Sequence, residues 1–513
     1  MDGDLPRHRY WLFAFMLLGV FAVIYFPEMA AFNLSIDEEL AAFRPDATAW
    51  VRQGRWTAAI VEQYFVPRPT VPYFPVAFFG AALVATFMLI RTSALWRNAG
   101  PLSWRDFLAF AVFCGFPTWF FMVEFYSNII AVGFGALCCG VFTHLLGKAL
   151  TGSRAIVFAG CAGAVGAIAI GVYQSFALAL VVLATLSLLQ IARSESPRPR
   201  HWGLSLIALA IAAALYAVAE KLSYPIAGVL PSDYTESILD PRTALANPLL
   251  SITNLGRAAF STFGFDQAIY VYPAWGFAGL AITGIVALAF WPRRAFPLSA
   301  TFLVAVVAAP FALQFFAGDK IVPTRSMVAV PFAAWALAHM ALHVPRQWVQ
   351  KIGAVTITIA LVQAIYMFSS YQAAIRVAAN YDRGLAAEIH ARIIDQYPAS
   401  GRPLYLDVFG SGWVFNPYPT PPTSTAGRSF FDWGNGETRR VAPYMQLAGY
   451  TDLLPLPEEH MAEFLDVLLA MPNWPAPGSV RVVGNVALLR LGDVPDTLHQ
   501  RLIEMRGSNT LAD

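Results

Sequence analysis

Apolar runs long enough to cross a bilayer recur along this sequence and leave it few folds to choose from. A spanning helix needs about 20 mostly apolar residues. Runs of that kind lie near 10–29, 71–90, 106–123, 128–147, 155–172, 174–192, 203–220, 271–291, 296–316, 322–342 and 352–372. The expectation is a polytopic α-helical membrane protein with about eleven transmembrane helices. Charge agrees with it, since 13% of the residues are charged against roughly 25% in a soluble domain. With 34 basic and 32 acidic residues the net charge is +2, so an electrostatic function has to come from where charges stand, and nucleic acid is not an expected partner. Cys114, Cys138, Cys139 and Cys161 all fall in apolar runs, as small packing residues do, rather than in a disulfide or metal-binding pattern.

Basic residues orient the spans. Arg7 and Arg9, Arg91, Arg97 and Arg105, Lys148 and Arg154, Arg193, Arg198 and Arg200, Arg293 and Arg294, and Arg346 and Lys351 all fall on one side of the eleven-span arrangement. By the positive-inside bias that side is the cytoplasm. The opposite short turns, around Glu124, Tyr173 and Asp319, carry only Lys320. Two long loops, 33–70 and 221–270, then share the outer side with the tail. The first loop reads as three short helices begun by Ser35, Asp46 and Thr57, with Gly54 ending the second and Phe65 the third. Trp50, Trp56 and Tyr64, interleaved with Arg52 and Arg55, suit a membrane interface.

The division expected is a transmembrane domain over 1–372, carrying both outer loops, and a small α/β domain over 373–513. In the tail, residues 382–396 have helical spacing, 403–409 read as a strand and 457–471 as a helix. V-R-V-V and V-A-L-L-R-L across Gly484-Asn485 read as a hairpin. A long aromatic loop lies between them, with Trp413, Phe430, Phe431, Trp433 and Asn435. Phe430 and Phe431 are expected to dock on the membrane helices and Trp433 to contact substrate.

Chemistry concentrates at the outer face. Asn33 to Glu39 reads N-L-S-I-D-E-E where the first span leaves the membrane. Ser35 with Glu38 three residues on is a capping-box pattern. An acidic turn beside Arg52, Arg55 and Arg68 equally suits a general base near an anionic lipid head group. A Glu38 committed to capping leaves Asp37 as the base. Glu28 and Glu124 end the first and third spans, either as functional groups or as groups reaching interfacial water. Arg325, with Lys320, opens the tenth span, where a guanidinium either grips a phosphate bidentately or snorkels. Tyr173 and Gln174 make a polar break on the same side.

Taken in order, the acidic turn, Q-G-R-W, V-Y-Q-S, P-T-R-S-M, Y-D-R-G-L-A-A-E-I and G-R-S-F-F-D-W-G-N-G make a chain that resembles the bacterial O-antigen glucosyltransferases of the serotype-converting type. The resemblance implies a membrane glycosyltransferase of the C-type fold. It would move a sugar, on this resemblance glucose, from a polyprenyl-phosphate carrier to a periplasmic cell-surface glycan, with Asp37 and Glu38 catalytic. In that chemistry Asp37 deprotonates the acceptor hydroxyl, while Arg55, Lys320 and Arg325 steady the departing phosphate. The phosphate leaves with its charge already in place, so neither cofactor nor metal is called for. Substrate-side positions expected on this reading are Arg55, Arg68, Glu124, Tyr173, Gln174, Lys320, Arg325 and Trp433. The competing reading is a transporter or flippase of lipid-linked sugars, which accounts for the helices without any chemistry.

Overall fold

The computed structural model describes residues 7–493 apart from 31–32, 67, 70, 72, 100–101, 195, 234–238, 291–295, 318–319, 321, 398–403, 413 and 436. Trp413, Asp319, Arg293 and Arg294 lie outside the described residues, as do the side chains of Arg7, Arg9, Arg97 and Asn435.

Every apolar run is helical over most or part of its length. Seven described helices are long and apolar enough to cross a membrane: Phe74–Arg91, Tyr126–Thr151, Ala155–Val172, Phe176–Arg193, Pro199–Ala227, Ser299–Phe316 and Gln347–Gln396. Trp104–Gly115 and Pro117–Val123, bent by 48°, make an eighth if they are one span. The bend has a local cause, because Phe116 precedes a proline and takes an extended backbone, ψ 130°, as proline's ring forces on its predecessor. Tyr10–Ile24 and Trp275–Ala289 are apolar but shorter. Val330–His343 has 14 residues and rises about 21 Å at 1.5 Å per residue, less than the ~30 Å hydrocarbon core.

Small residues let the helices close on one another, as they do where lipid gives no hydrophobic drive to association. A Cβ added to Gly140 would stand 2.9 Å from the Thr86 Cα, and one on Gly163 would stand 2.8 Å from the Ala208 carbonyl. Three short helices, Glu38–Phe43, Thr48–Arg52 and Trp56–Phe65, follow the first span. The middle one ends where Gly54 turns left-handed at φ 73°.

The tail does not begin at a break. The periodic segment over 382–396 is the end of one 50-residue helix, Gln347–Gln396, that continues the last apolar run without interruption. Beyond it lie four strands, β1 (Leu404–Phe409), β2 (Leu453–Pro455), β3 (Val480–Val483) and β4 (Val486–Arg490). They pair in the order β2-β1-β4-β3, with β1 parallel to β2 and β4, and β3 antiparallel to β4. The helix expected over 457–471 is three short pieces, Glu458–Met461, Ala462–Phe464 and Leu465–Ala470. Helix Thr438–Leu447 and the short β2 went unanticipated.

A second hydrophobic core holds the tail together. Leu385, Ile389 and Ile393, four residues apart on the long helix, pack with Leu406 and Val408 of β1 and with Val441 and Met445. One member comes from far away in sequence: Ile36, from the turn after the first span, is buried in that core. Phe430 and Phe431 also belong to it, with Phe430 stacked on Tyr444 at 4.3 Å. The expected docking of these two rings on the membrane helices is thus corrected, since the tail needs them for its own interior.

Candidate active site

The acidic turn is shaped by one residue. Asp37 sits at φ 84°, a left-handed conformation that aspartate tolerates better than most side chains. It precedes helix Glu38–Phe43 without making a side-chain cap. The expected capping box does not form. The Ser35 hydroxyl donates to the Glu124 carbonyl instead. The Glu38 carboxylate accepts from the backbone N–H of Ser127 at 2.9 Å and from its hydroxyl at 3.1 Å. Ser127 lies in the first turn of the 26-residue helix Tyr126–Thr151. Its unsatisfied N–H groups and helix dipole favour a buried carboxylate more than the start of a six-residue helix does. Glu38 is buried there.

Asp37 remains within reach of solvent, its side chain 44% exposed, and accepts from Arg440 Nη1 at 3.0 Å. The same nitrogen reaches Glu39 Oε1 at 2.5 Å. Glu39 is fully buried, and its second oxygen has no hydrogen-bond partner among the described residues. Burial pushes its carboxyl up to about 7, against the pull of Arg440. Arg440 comes from helix Thr438–Leu447, some 400 residues along the chain, and its charge is held by Asp37 and Glu39 against the loss of hydration.

Glu124 is the second focus. It follows Pro117–Val123 and accepts from the Ser424 hydroxyl, from Thr425 N–H at 3.0 Å and from the Thr425 hydroxyl at 2.9 Å. Burial pushes its carboxyl up to about 7, opposed by those hydrogen bonds and by nearby Arg325. The loop that holds it is fastened again by Asp382, which accepts from the Ser429 hydroxyl and from Phe430 N–H at 3.0 Å. Between these parts opens a cleft of about 230 Å³, bordered by Asn33 to Ile36, Glu124, Asp382, Arg383, Arg428 and Tyr444. Asp37 directly follows Ile36 on that border.

The remaining expected residues are spread over several places. Arg325 lies 5.1 Å from the centre of the Phe125 ring, beside Glu124. Tyr173 bonds Ser326 at 3.0 Å, and Thr324 bonds Thr423 at 2.9 Å. The turns near 124, 173 and 325 and the tail loop thus meet at one end of the bundle. Arg55 is buried against the rings of Tyr173, at 4.1 Å, and Trp50, at 5.4 Å, while Gln174 donates to the Gln53 carbonyl at 2.6 Å. Arg68 donates to Glu62 at 3.0 Å and to the Arg44 carbonyl at 2.9 Å, joining a structural cluster around the buried Glu62. The Lys320 carbonyl accepts from Gln314 at 2.9 Å. Trp433 packs half-buried against the tail core and does not border the cleft.

Sequence reasoning missed Glu39, Arg440, Asp382, Arg383 and Arg428. Glu39 was visible as the third acid of the turn. Asp382 and Arg383 lie in Y-D-R-G-L-A-A-E-I and Arg428 in G-R-S-F-F-D-W-G-N-G, motifs that carried the resemblance without pointing to the site, and Arg440 has no local pattern to mark it. Among the described residues no group of three or more His, Cys, Asp or Glu side chains is arranged to hold a metal ion. The arrangement provides a half-exposed carboxylate, held by a guanidinium and one residue beyond the border of a cleft, with further arginines bordering that cleft. Such a set can take a proton from a hydroxyl and balance the charge of an anionic leaving group.

Residues 26–342 match the family model described as Glucosyl transferase GtrII. That stretch carries the acidic turn, Glu124, Tyr173 and Arg325 and stops before the long helix and the tail. Neither the curated proteins nor the solved structures yield a match.

Proposed function

The chain belongs to the GtrII glucosyl transferase family, and from that premise we propose that it moves a glucosyl unit from a polyprenyl-phosphate carrier to an O-antigen glycan at the periplasmic face of the inner membrane. The single observation that carries the reading is the cleft at one end of the bundle. It is bordered on one side by Asn33 to Ile36, directly before Asp37, and by Glu124, and on the other by Asp382, Arg383 and Arg428 of the tail, whose Arg440 holds Asp37. A lipid-borne donor reaches such a cleft from the bilayer and a glycan acceptor reaches it from water. The basic bias of the opposite turns supports the periplasmic assignment. On this reading the transmembrane part over 1–372 binds the carrier and the tail over 373–513 closes the cleft over it.

In this mechanism the acceptor oxygen attacks the anomeric carbon as the bond to the carrier phosphate breaks, and the electron pair leaves on the phosphate. Asp37 takes the acceptor's proton, and attack from the opposite face inverts the anomeric centre. Arg440 holds Asp37 in place without removing it from solvent. Arg325 carries the phosphate charge, with Arg383 and Arg428 as further cations at the cleft. Arg55 and Arg68, committed to aromatic rings and to Glu62, organise the first outer loop beneath it.

The test is transfer of radiolabelled glucose from polyprenyl phosphate to extracted O-antigen by the purified protein. Asn at position 37 still accepts a hydrogen bond from Arg440 but takes no proton. Asp37→Asn is therefore expected to express and fold normally and to lose about 10²–10⁴-fold in rate. Full activity in this variant would take the base role from Asp37, and no transfer by the unaltered protein would end the reading.

A further inference from the structure

Beneath the cleft lies a smaller polar inlet that the mechanism above does not use. Its void of about 10 Å³ is bordered by Glu28, Asn33, Ser35, Glu124, Tyr126 and Gln372, and Asn33, Ser35 and Glu124 border the larger cleft as well. Four of its polar atoms have no hydrogen-bond partner among the described residues: Glu28 Oε2, Asn33 Nδ2, Gln372 Oε1 and Gln372 Nε2. Glu28 is 7% exposed and Gln372 3%. Glu28 is fixed on its other oxygen by the Tyr126 hydroxyl, and Gln372 is fixed by its place on the long helix Gln347–Gln396.

A buried polar atom left without a partner is costly, and native interiors rarely leave such groups unmatched. Four of them around one void point to an occupant. The void has room for about one water-sized group, and the set is mixed, with a carboxylate and an amide oxygen to accept and two amide nitrogens to donate. A hydroxyl donates once and accepts twice, so it pairs with both amide nitrogens and with one of the two oxygens. A phosphate group is larger than the one water-sized group that the void admits.

We propose that this inlet receives one ring hydroxyl of a sugar bound in the cleft, which makes Glu28 and Gln372 specificity-determining residues. The inference rests on the glucosyl-transfer reading. The hydroxyl belongs to either the transferred glucosyl unit or the acceptor sugar, and the two sources are separable by experiment. A site built to bond a hydroxyl strongly rejects the analogue that lacks it, because its own buried groups are then left unpaired.

The experiment uses the full-length protein in lipid nanodiscs. One series of reactions offers polyprenyl-phosphate glucose and its 2-, 3-, 4- and 6-deoxy analogues. A second offers the intact donor with acceptor oligosaccharides lacking single hydroxyls. One deoxy compound is expected to lose at least about 10²-fold in kcat/KM with the unaltered protein. In Gln372→Met the glucose value should fall while the deoxy value holds, so that their ratio shrinks toward one. Glu28→Gln should shrink the same ratio from the opposite wall and serves if Gln372→Met does not fold. A response in the first series assigns the hydroxyl to the donor, and one in the second to the acceptor. A ratio that survives in a folded variant, or the absence of any discriminated deoxy compound, overturns the inference and leaves the inlet to a structural water. That result differs from failure of the underlying reading, in which the intact donor gives no transfer at all.

Discussion

At the scale of single residues, three acids in a row have three fates set by what each meets. Glu38 is absorbed by the start of a long helix, Glu39 is buried against Arg440, and Asp37 stays half in water. Glu39 has a measurable consequence. Its carboxyl rises from an ordinary value of 4.5 to about 7 on folding, so the folded protein holds this proton more tightly than the unfolded chain. The associated stability is present below pH 4.5 and is lost as pH rises through 7, on the order of 3 kcal/mol. Glu39→Gln keeps an acceptor for Arg440 and has no proton to lose. Its apparent melting temperature in detergent should fall less between pH 5 and pH 8 than that of the unaltered protein, and equal falls would remove Glu39 as the titrating group. Arg325 gives a second test. If it grips the carrier phosphate, lysine supplies the charge but not the planar fork. Arg325→Lys should then raise the apparent donor KM, and Arg325→Ala should raise it further. An unchanged donor curve in Arg325→Ala would return the residue to its packing on Phe125.

At the scale of elements, close helix packing depends on glycine at a few crossings. Gly276 is the tightest of them, since a Cβ there would stand 2.3 Å from the backbone nitrogen of Ala360 and 2.6 Å from its Cα. Its own N–H donates to Gln363 at 2.8 Å. Neither backbone can yield without separating Trp275–Ala289 from the long helix. Gly276→Ala should therefore destabilise the protein by about 1–3 kcal/mol, read as a lower melting temperature. Gly203 is the control, because a Cβ there meets nothing within 4 Å. Alanine is the better helix former, so Gly203→Ala should be neutral or slightly stabilising.

For the whole molecule, the cleft exists because one helix spans both parts. Gln347–Gln396 carries the last apolar run at one end and Leu385, Ile389 and Ile393 of the tail core at the other. With Ile36 buried in that core, the tail and the acidic turn are fixed to each other. On the proposed topology the tail lies in the periplasm. A reporter active only in that compartment, fused after Asp513, should be active. Activity of a cytoplasm-only reporter at the same point would reverse the orientation and place the cleft away from a periplasmic acceptor.

Local physics made part of this protein readable from its sequence. Apolar length marked the helical runs, Gly54 and the Gly484-Asn485 turn marked the ends of short elements, and short apolar runs marked β1 and the hairpin, because each signal acts over a few neighbouring residues. The ordered set of short motifs carried the family. Where a polar side chain could find more than one partner, sequence did not decide. Ser35 and Glu38 had a suitable local pairing and took Glu124 and Ser127 instead, since a buried carboxylate goes to the strongest unsatisfied donors in reach, whatever their distance along the chain. Arg440, Asp382 and the loop at Ser424 and Thr425 joined the site only through tertiary contact. The inlet between Glu28 and Gln372 likewise comes from helices more than 300 residues apart, and only their packing turns four separate polar atoms into one place.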